Sequence, residues 1–155
     1  MIREANINDF ERLMKLERDS FNEDEVVTEK GFRYRLANYP DHTLVIEENN
    51  DICAYITYVL SDELKLEDIM FTDDVVDMEK GNYIIVLGLA TDPLHKKKGF
   101  ASKLMKHLIN ITDKTILLTC HDYLIDFYSH LGFKVLGISE SSFANSKWYD
   151  MVYEK

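Results

Sequence analysis

Apolar residues recur along this chain in two rhythms, at every second position or at every third and fourth, and the switches between them mark out its elements. Residues 2–5 read as a short strand. Asn8, followed by Glu11, predicts a capping box that opens a helix with Phe10, Leu13, Met14 and Glu17 at helical spacing, ending near Phe21. Beyond the acidic loop Asn22-Glu23-Asp24-Glu25, Thr28 caps a second helix with Phe32 and Leu36 on its buried side and Arg33 beside them, and Pro40 stops it. Residues 43–47 and 52–60, joined through Glu48-Asn49-Asn50-Asp51, read as a β-hairpin. Tyr83–Thr91 is almost wholly apolar, as in a strand buried on both faces. Phe100, Ala101, Leu104, Met105, Leu108 and Ile109 then keep helical spacing without a miss. Thr115–Cys120 is a further buried strand, residues 124–131 a short helix, and residues 133–138 and 148–153 two closing strands. The order β-α-α-β-β-β-α-β-α-β-β predicts an α/β or α+β fold, a mixed sheet covered by helices.

A length of 155 residues, without repeats or a linker, predicts one domain over residues 1–155. Eighteen Lys and Arg against 28 Asp and Glu leave a net charge of −10, which argues against general nucleic-acid binding. The amino terminus lacks the apolar core of a signal peptide and the longest apolar run is far too short to span a bilayer, so a cytoplasmic protein without membrane attachment is expected. Cys53 and Cys120 lie in apolar, strand-like stretches with no CxxC, which predicts reduced core residues and neither a disulfide nor a metal site. Charge divides sharply around Tyr83–Thr91. Residues 61–80 hold eight acids, Asp62, Glu63, Glu67, Asp68, Asp73, Asp74, Asp77 and Glu79, against Lys65 and Lys80, whereas residues 93–112 hold five lysines and no acid.

The chemistry is expected in the turn from that strand into the strongest helix, Leu89-Ala90-Thr91-Asp92-Pro93-Leu94-His95-Lys96-Lys97-Lys98-Gly99-Phe100-Ala101-Ser102. Gly99 and Ala101 leave the backbone unobstructed where unpaired amides and the positive end of a helix dipole meet, and the lysines add charge, a combination suited to a pyrophosphate. Taken alone, Lys96-Lys97-Lys98 reads as a solvated basic turn. Gly88 breaks the buried strand just upstream, where a glycine marks a bulge or a close approach, and a second motif follows, Phe127-Tyr128-Ser129-His130-Leu131-Gly132-Phe133.

The two motifs together resemble the GNAT superfamily of acetyl-CoA-dependent N-acetyltransferases, with their Q/R-x-x-G-x-G/A turn and F-Y-x-x-L-G-F helix end. Lys96 stands in the Q/R slot, Gly99 and Ala101 in the small-residue slots, and the opening Ile2-Arg3-Glu4-Ala5 extends the likeness over nearly the whole chain. The resemblance implies a mostly antiparallel sheet of about seven strands flanked by helices, with acetyl-CoA as cosubstrate and no metal. It implies CoA contacts from Leu89, Ala90, Thr91, Lys96, Lys97, Lys98, Gly99, Phe100, Ala101 and Ser102, and from Phe127. His121 stands where the family often has Asn, and either touches the cofactor or caps the following helix. Tyr128 is implied as the general acid, since a phenol of ordinary pKa near ~10 holds its proton at neutral pH; the alternative is an aromatic packing residue. Ser20-Phe21-Asn22-Glu23-Asp24-Glu25 with Phe32-Arg33-Tyr34-Arg35-Leu36 is similar to the arylalkylamine branch, although the paired histidines of that branch are replaced by Ile85 and Leu87.

An amine must lose a proton before it attacks a thioester. Glu23, Glu25, Asp73 and Asp74, or water, are the candidate bases, each also readable as a solvated surface acid. His42, His95, His107 and His130 are expected at the surface. The acidic stretch before the buried strand points to a small cationic amine acceptor; a peptide amino terminus, or a CoA-binding sensor without turnover, are the alternatives. The sequence leaves a homodimer open.

Overall fold

The computed structural model describes residues 1–64, 80–141 and 143–155. Its elements are β1 (Ile2–Glu4), α1 (Phe10–Ser20), α2 (Glu29–Asn38), β2 (Thr43–Glu48), β3 (Asp51–Ser61), β4 (Tyr83–Thr91), α3 (Phe100–Ile111), β5 (Thr115–Cys120), α4 (Ile125–His130), β6 (Lys134–Ile138) and β7 (Tyr149–Tyr153). The strands form a seven-stranded sheet in the order β1-β2-β3-β4-β5-β7-β6, mostly antiparallel, with β4 and β5 parallel. The element order is the one the apolar rhythm predicts. Most of the acidic stretch, including Asp73 and Asp74, lies outside the described residues.

Two apolar layers flank the sheet. On one face α1 and α2 bring Leu13, Met14, Leu16, Phe32 and Leu36 against Val45, Tyr55 and Ala90. On the other, α3 brings Phe100, Leu104, Met105, Leu108 and Ile109 against Ile56, Ile84, Val86 and Leu118. Each such side chain contributes about 1.5–3 kcal/mol on leaving water. Among the described residues, no helix is long and apolar enough to cross a membrane.

Three local expectations are resolved by geometry. Asn49 and Asn50 both take positive φ (53° and 63°) between the paired Glu48 and Asp51, the two-residue turn whose twist matches a hairpin. The capping box before α1 is formed by Asn6 and Asp9, not Asn8 and Glu11: Asn6 Oδ1 accepts from Asn8 N and Asp9 Oδ2 from Asn6 N, each at 2.9 Å. Asp9 also accepts from Arg3 of β1, whose Nη1 donates at 2.9 Å, so the cap lies two residues nearer the strand and is tied to it. His42 is buried rather than exposed, stacked between Tyr39 and Tyr58 at ring separations of 5.5 and 5.2 Å.

The sheet opens where the buried strand meets its parallel neighbour. Pairing of β4 with β5 runs only from Tyr83 with Thr115 to Ile85 with Leu117, although both strands continue. Along its other edge β4 stays paired with β3 to Thr91, through a bulge at Leu87 where Thr57 faces Gly88 and Tyr58 faces Val86. Asp92 N donates to Cys53 O at 2.8 Å, so alternation along the antiparallel pair turns the main chain of Ala90 towards β3 and that of Leu89 and Thr91 towards the gap.

Candidate active site

The gap is the mouth of a cavity of about 530 Å³ that runs between the two helix layers. Leu89, Ala90, Thr91, Lys96, Lys97, Gly99, Phe100, Ala101, Ser102, His121, Phe127 and Tyr128 all line it. Lys98 does not: its Nζ lies 3.2 Å from His95 Nδ1. Of the four histidines expected at the surface, His95 also borders the cavity.

The turn before α3 has the shape that its sequence suggests for an anion. Lys97 and Gly99 both take left-handed backbone, φ +68° and +78°, the kind of conformation from which main-chain anion nests are built. The first intrahelical bond is Lys103 N to Gly99 O at 3.0 Å, so the amides of Phe100, Ala101 and Ser102 have no carbonyl partner within the helix. A Cβ built on Gly99 would meet nothing within 4 Å, leaving an open cradle one side chain deep. Lys96 and Lys97 line the same cavity. Unpaired amides, a positive helix end and two ammonium groups fit a diphosphate.

Tyr128 is placed by the end of its own helix. Gly132 takes φ +102°, and Phe133 N returns to Tyr128 O at 3.1 Å, so the chain folds back as a helix end of the Schellman kind. Phe127 and Phe133 pack edge-on against the Tyr128 ring, at 5.0 and 5.8 Å. The residue is 7% exposed, lines the cavity, and has no polar partner for its hydroxyl among the described residues. Burial, with a smaller push from Cys120, raises the phenol well above its ordinary value. Cys120 sits beside it with its thiol raised to about 11, chiefly by burial and then by Asp122 and Asp150, so it carries a proton at neutral pH.

Opposite stands a pair that sequence distance conceals. His121 Nε2 lies 3.0 Å from Glu25 Oε1, and the imidazole is stacked on Trp148 at 4.2 Å and Tyr123 at 5.3 Å. Glu25 keeps only 7% of its side chain exposed. His121 makes no side-chain cap to the turn that follows, and it lines the cavity. Among the acids put forward as bases, Glu25 borders the cavity and Glu23 is exposed.

Two further charged residues at the cavity were not singled out from the sequence as functional. Glu17 of α1 is 4% exposed, and its carboxylate accepts from Tyr55 Oη and, at 3.4 Å, from Val27 N. Gly88 keeps this group open to the cavity: a Cβ there would lie 3.6 Å from Glu17 Oε1 and 3.4 Å from Thr57 Cγ2. Arg35 of α2 shares the same wall. The available signal was a carboxylate on the apolar stripe of α1 and an arginine three residues after Phe32.

Desolvation raises the Glu17 carboxyl above its ordinary 4.5, outweighing its hydrogen bonds and the nearby charge of Arg35. The folded chain therefore holds this proton more tightly than the unfolded chain, and the associated stability is fully present below about pH 4.5 and is lost as pH rises through the raised value. Glu17→Gln removes that loss. Thermal unfolding from pH 4 to 8 is expected to show the variant gaining on wild type as pH rises; a constant difference would contradict the assignment.

A sheet parted at its parallel pair, with an amide cradle and a long cavity at the opening, defines the acyl-CoA N-acyltransferase class of fold. The chain belongs to the acetyltransferase (GNAT) family, whose model matches residues 10–133; it is an acetyl-CoA-dependent N-acetyltransferase, with CoA as cosubstrate. Among solved structures it is similar to the loading GNATL domain of CurA from Lyngbya majuscula, at 14% identity over 99% of this chain and 96% of that one, with a TM-score of 0.84. It is similar also to the GphF GNAT-like decarboxylase in complex with isobutyryl-CoA, at 15% identity over 99% and 98% of the two chains, TM-score 0.80. A third likeness is to the ribosomal-protein-S18-alanine N-acetyltransferase from Escherichia coli, at 16% identity over 99% and 92%, TM-score 0.73. At these identities the likeness is one of fold. No curated protein matches the sequence.

Proposed function

We propose that the chain acetylates a small cationic primary amine by direct attack in a ternary complex, with Tyr128 as general acid and the Glu25–His121 pair as general base. The observation that carries this reading is the convergence of three stations on one cavity: the amide cradle at Lys96 to Ser102, the buried phenol of Tyr128, and the imidazole held by Glu25. Acetyl-CoA, when bound, supplies the activated acyl group. The cradle amides and Lys96 and Lys97 hold its phosphates, while the main chain of Leu89 and Thr91 offers hydrogen bonds in the gap. With Nε2–H donating to Glu25, His121 Nδ1 carries a lone pair that takes the proton of the ammonium, directly or through one water. The free amine adds to the thioester carbonyl; as the C–S bond breaks, Tyr128 Oη gives its proton to the departing thiolate, and the proton that the nitrogen sheds in becoming an amide restores the phenol through solvent. Glu17 and Glu25 line the cavity with Arg35, two carboxyl groups to one guanidinium, which favours a cationic acceptor.

Two substitutions test the chemistry. His121→Ala leaves deprotonation to solvent, so kcat/KM is expected to fall by about 10²-fold at pH 7 and to recover as pH approaches the amine's own pKa near ~10.4. A pH-independent deficit would exclude the base role. Cys120→Ala is expected to retain most turnover, because a protonated thiol in the apolar wall is no nucleophile; complete loss with CoA affinity intact would establish an acyl-cysteine route instead. The acceptor class is tested by a screen of polyamines, arylalkylamines, aminoglycosides and peptides with acetyl-CoA, read by thiol release. Turnover confined to peptides would move the assignment to amino-terminal acetylation, and CoA binding without any acceptor would make the chain a sensor.

A further inference from the structure

Arg35 is held in an unusual state for an arginine. It is 6% exposed on the cavity wall, and its Nη1 is buried without a hydrogen-bond partner. A guanidinium keeps its charge at any physiological pH and presents five donors in a planar fork, so burial without acceptors is costly unless an anion joins it. Among the described residues no carboxylate comes within ion-pair distance of it. Glu17 acts on it only through space, with its own oxygens engaged by Tyr55 and Val27. The guanidinium carbon lies over the Phe32 ring, 5.2 Å from its centroid, a cation–π contact that gives the N–H groups no oxygen or nitrogen acceptor. Gly88, whose missing Cβ leaves room beside Glu17 and Tyr55, lines the same cavity as Arg35.

We propose that Arg35 anchors a carboxylate-binding subsite on the α1/α2 side of β4, where a carboxylate of one reactant pairs with the guanidinium fork. The proposal rests on the acyl-transfer reading of the cavity and narrows its substrates. Two reactants can bring the group: an amino-acid acceptor, which carries carboxylate and amine together, or an acyl thioester of a dicarboxylic acid.

Calorimetric titration distinguishes them. In one arm, L-lysine is compared with cadaverine and L-ornithine with putrescine, each titrated into wild-type protein saturated with CoA; these pairs differ only in the carboxylate. In the other, succinyl-CoA is compared with butyryl-CoA on the free protein. The carboxylate-bearing member of one arm is expected to bind about 10-fold or more tighter, the scale of a charge-assisted pair, and that arm names the reactant. Arg35→Met is expected to abolish the preference while unfolding at the same temperature as wild type or higher, because it removes a buried charge that lacks an ion pair. A purely structural arginine would lower that temperature and leave any preference in place. Equal affinities in both arms of wild type overturn the proposal, whether or not the variant folds, and so does a preference that survives Arg35→Met. Failure of the transfer reading shows separately, as acetyl-CoA binding without thiol release for any acceptor.

Discussion

Tyr128→Phe is expected to lower kcat by about 10²-fold or more while leaving the dissociation constant of CoA almost unchanged, the pattern of a group that acts only in the transition state. The substitution is close to isosteric where it matters. Phe127 and Phe133 pack on the ring rather than the hydroxyl, and the helix end is fastened through the main chain of Tyr128. Nothing among the described residues depends on the phenolic oxygen for a hydrogen bond. The pH profile supplies an independent measurement. An exposed phenol would give kcat a descending limb near ~10, but burial raises this one, so the protonated donor persists to higher pH and the limb moves upward. Wild type should therefore hold its rate through pH 9 to 10, and any limb it shows above that range should be absent from the Phe variant. Full kcat in Tyr128→Phe, with the same alkaline behaviour, would reduce Tyr128 to a packing residue.

Gly99→Glu is expected to weaken CoA binding by about 10²-fold or more with little change in the rate at saturation. Two effects combine, and Gly99→Ala separates them. At φ +78° any side chain is strained by about 1–2 kcal/mol, yet a Cβ meets nothing within 4 Å, so alanine adds strain without collision. Glutamate adds to this a carboxylate and its bulk in the open space over the amides of Phe100, Ala101 and Ser102, where the diphosphate is to sit. Titration with CoA should thus show a loss for alanine of about 10-fold or less and a much larger one for glutamate. Equal, unaltered affinities in both variants would remove the phosphate site from this turn.

Both substitutions act on motifs that are legible in the amino-acid sequence itself, and the reason is that each is written locally. Phe127 to Phe133 encodes a helix end in seven consecutive residues, with Gly132 supplying the positive φ that turns Phe133 back onto Tyr128. The turn before α3 is likewise a matter of neighbours, since left-handed backbone at Lys97 and Gly99 together with a helix start suffices to leave the first helical amides without carbonyl partners. Lys98 shows the limit of such reading. It belongs to the same run of lysines as Lys96 and Lys97, but its Nζ lies beside His95 Nδ1 and it takes no part in the cavity lining.

The elements and their order followed from apolar spacing alone, because a strand with no polar face, such as Tyr83–Thr91, and a helix with an unbroken stripe, such as Phe100–Ile111, each have one economical way to leave water. Tertiary structure decided what these elements bring together. His121 meets Glu25 across 96 positions of sequence, and no local pattern marks either as half of a pair. Glu17 and Arg35 are read from the chain as one polar residue on each of two amphipathic helices; their burial depends on where α1 and α2 settle against β3 and β4. The parting of β4 from β5 after Ile85 is a property of two strands and a bulge, held in the pairing with β3. Local sequence specifies backbone conformation through sterics and spacing, whereas burial, charge pairing and the opening of a cavity arise only when distant surfaces exclude water from one another.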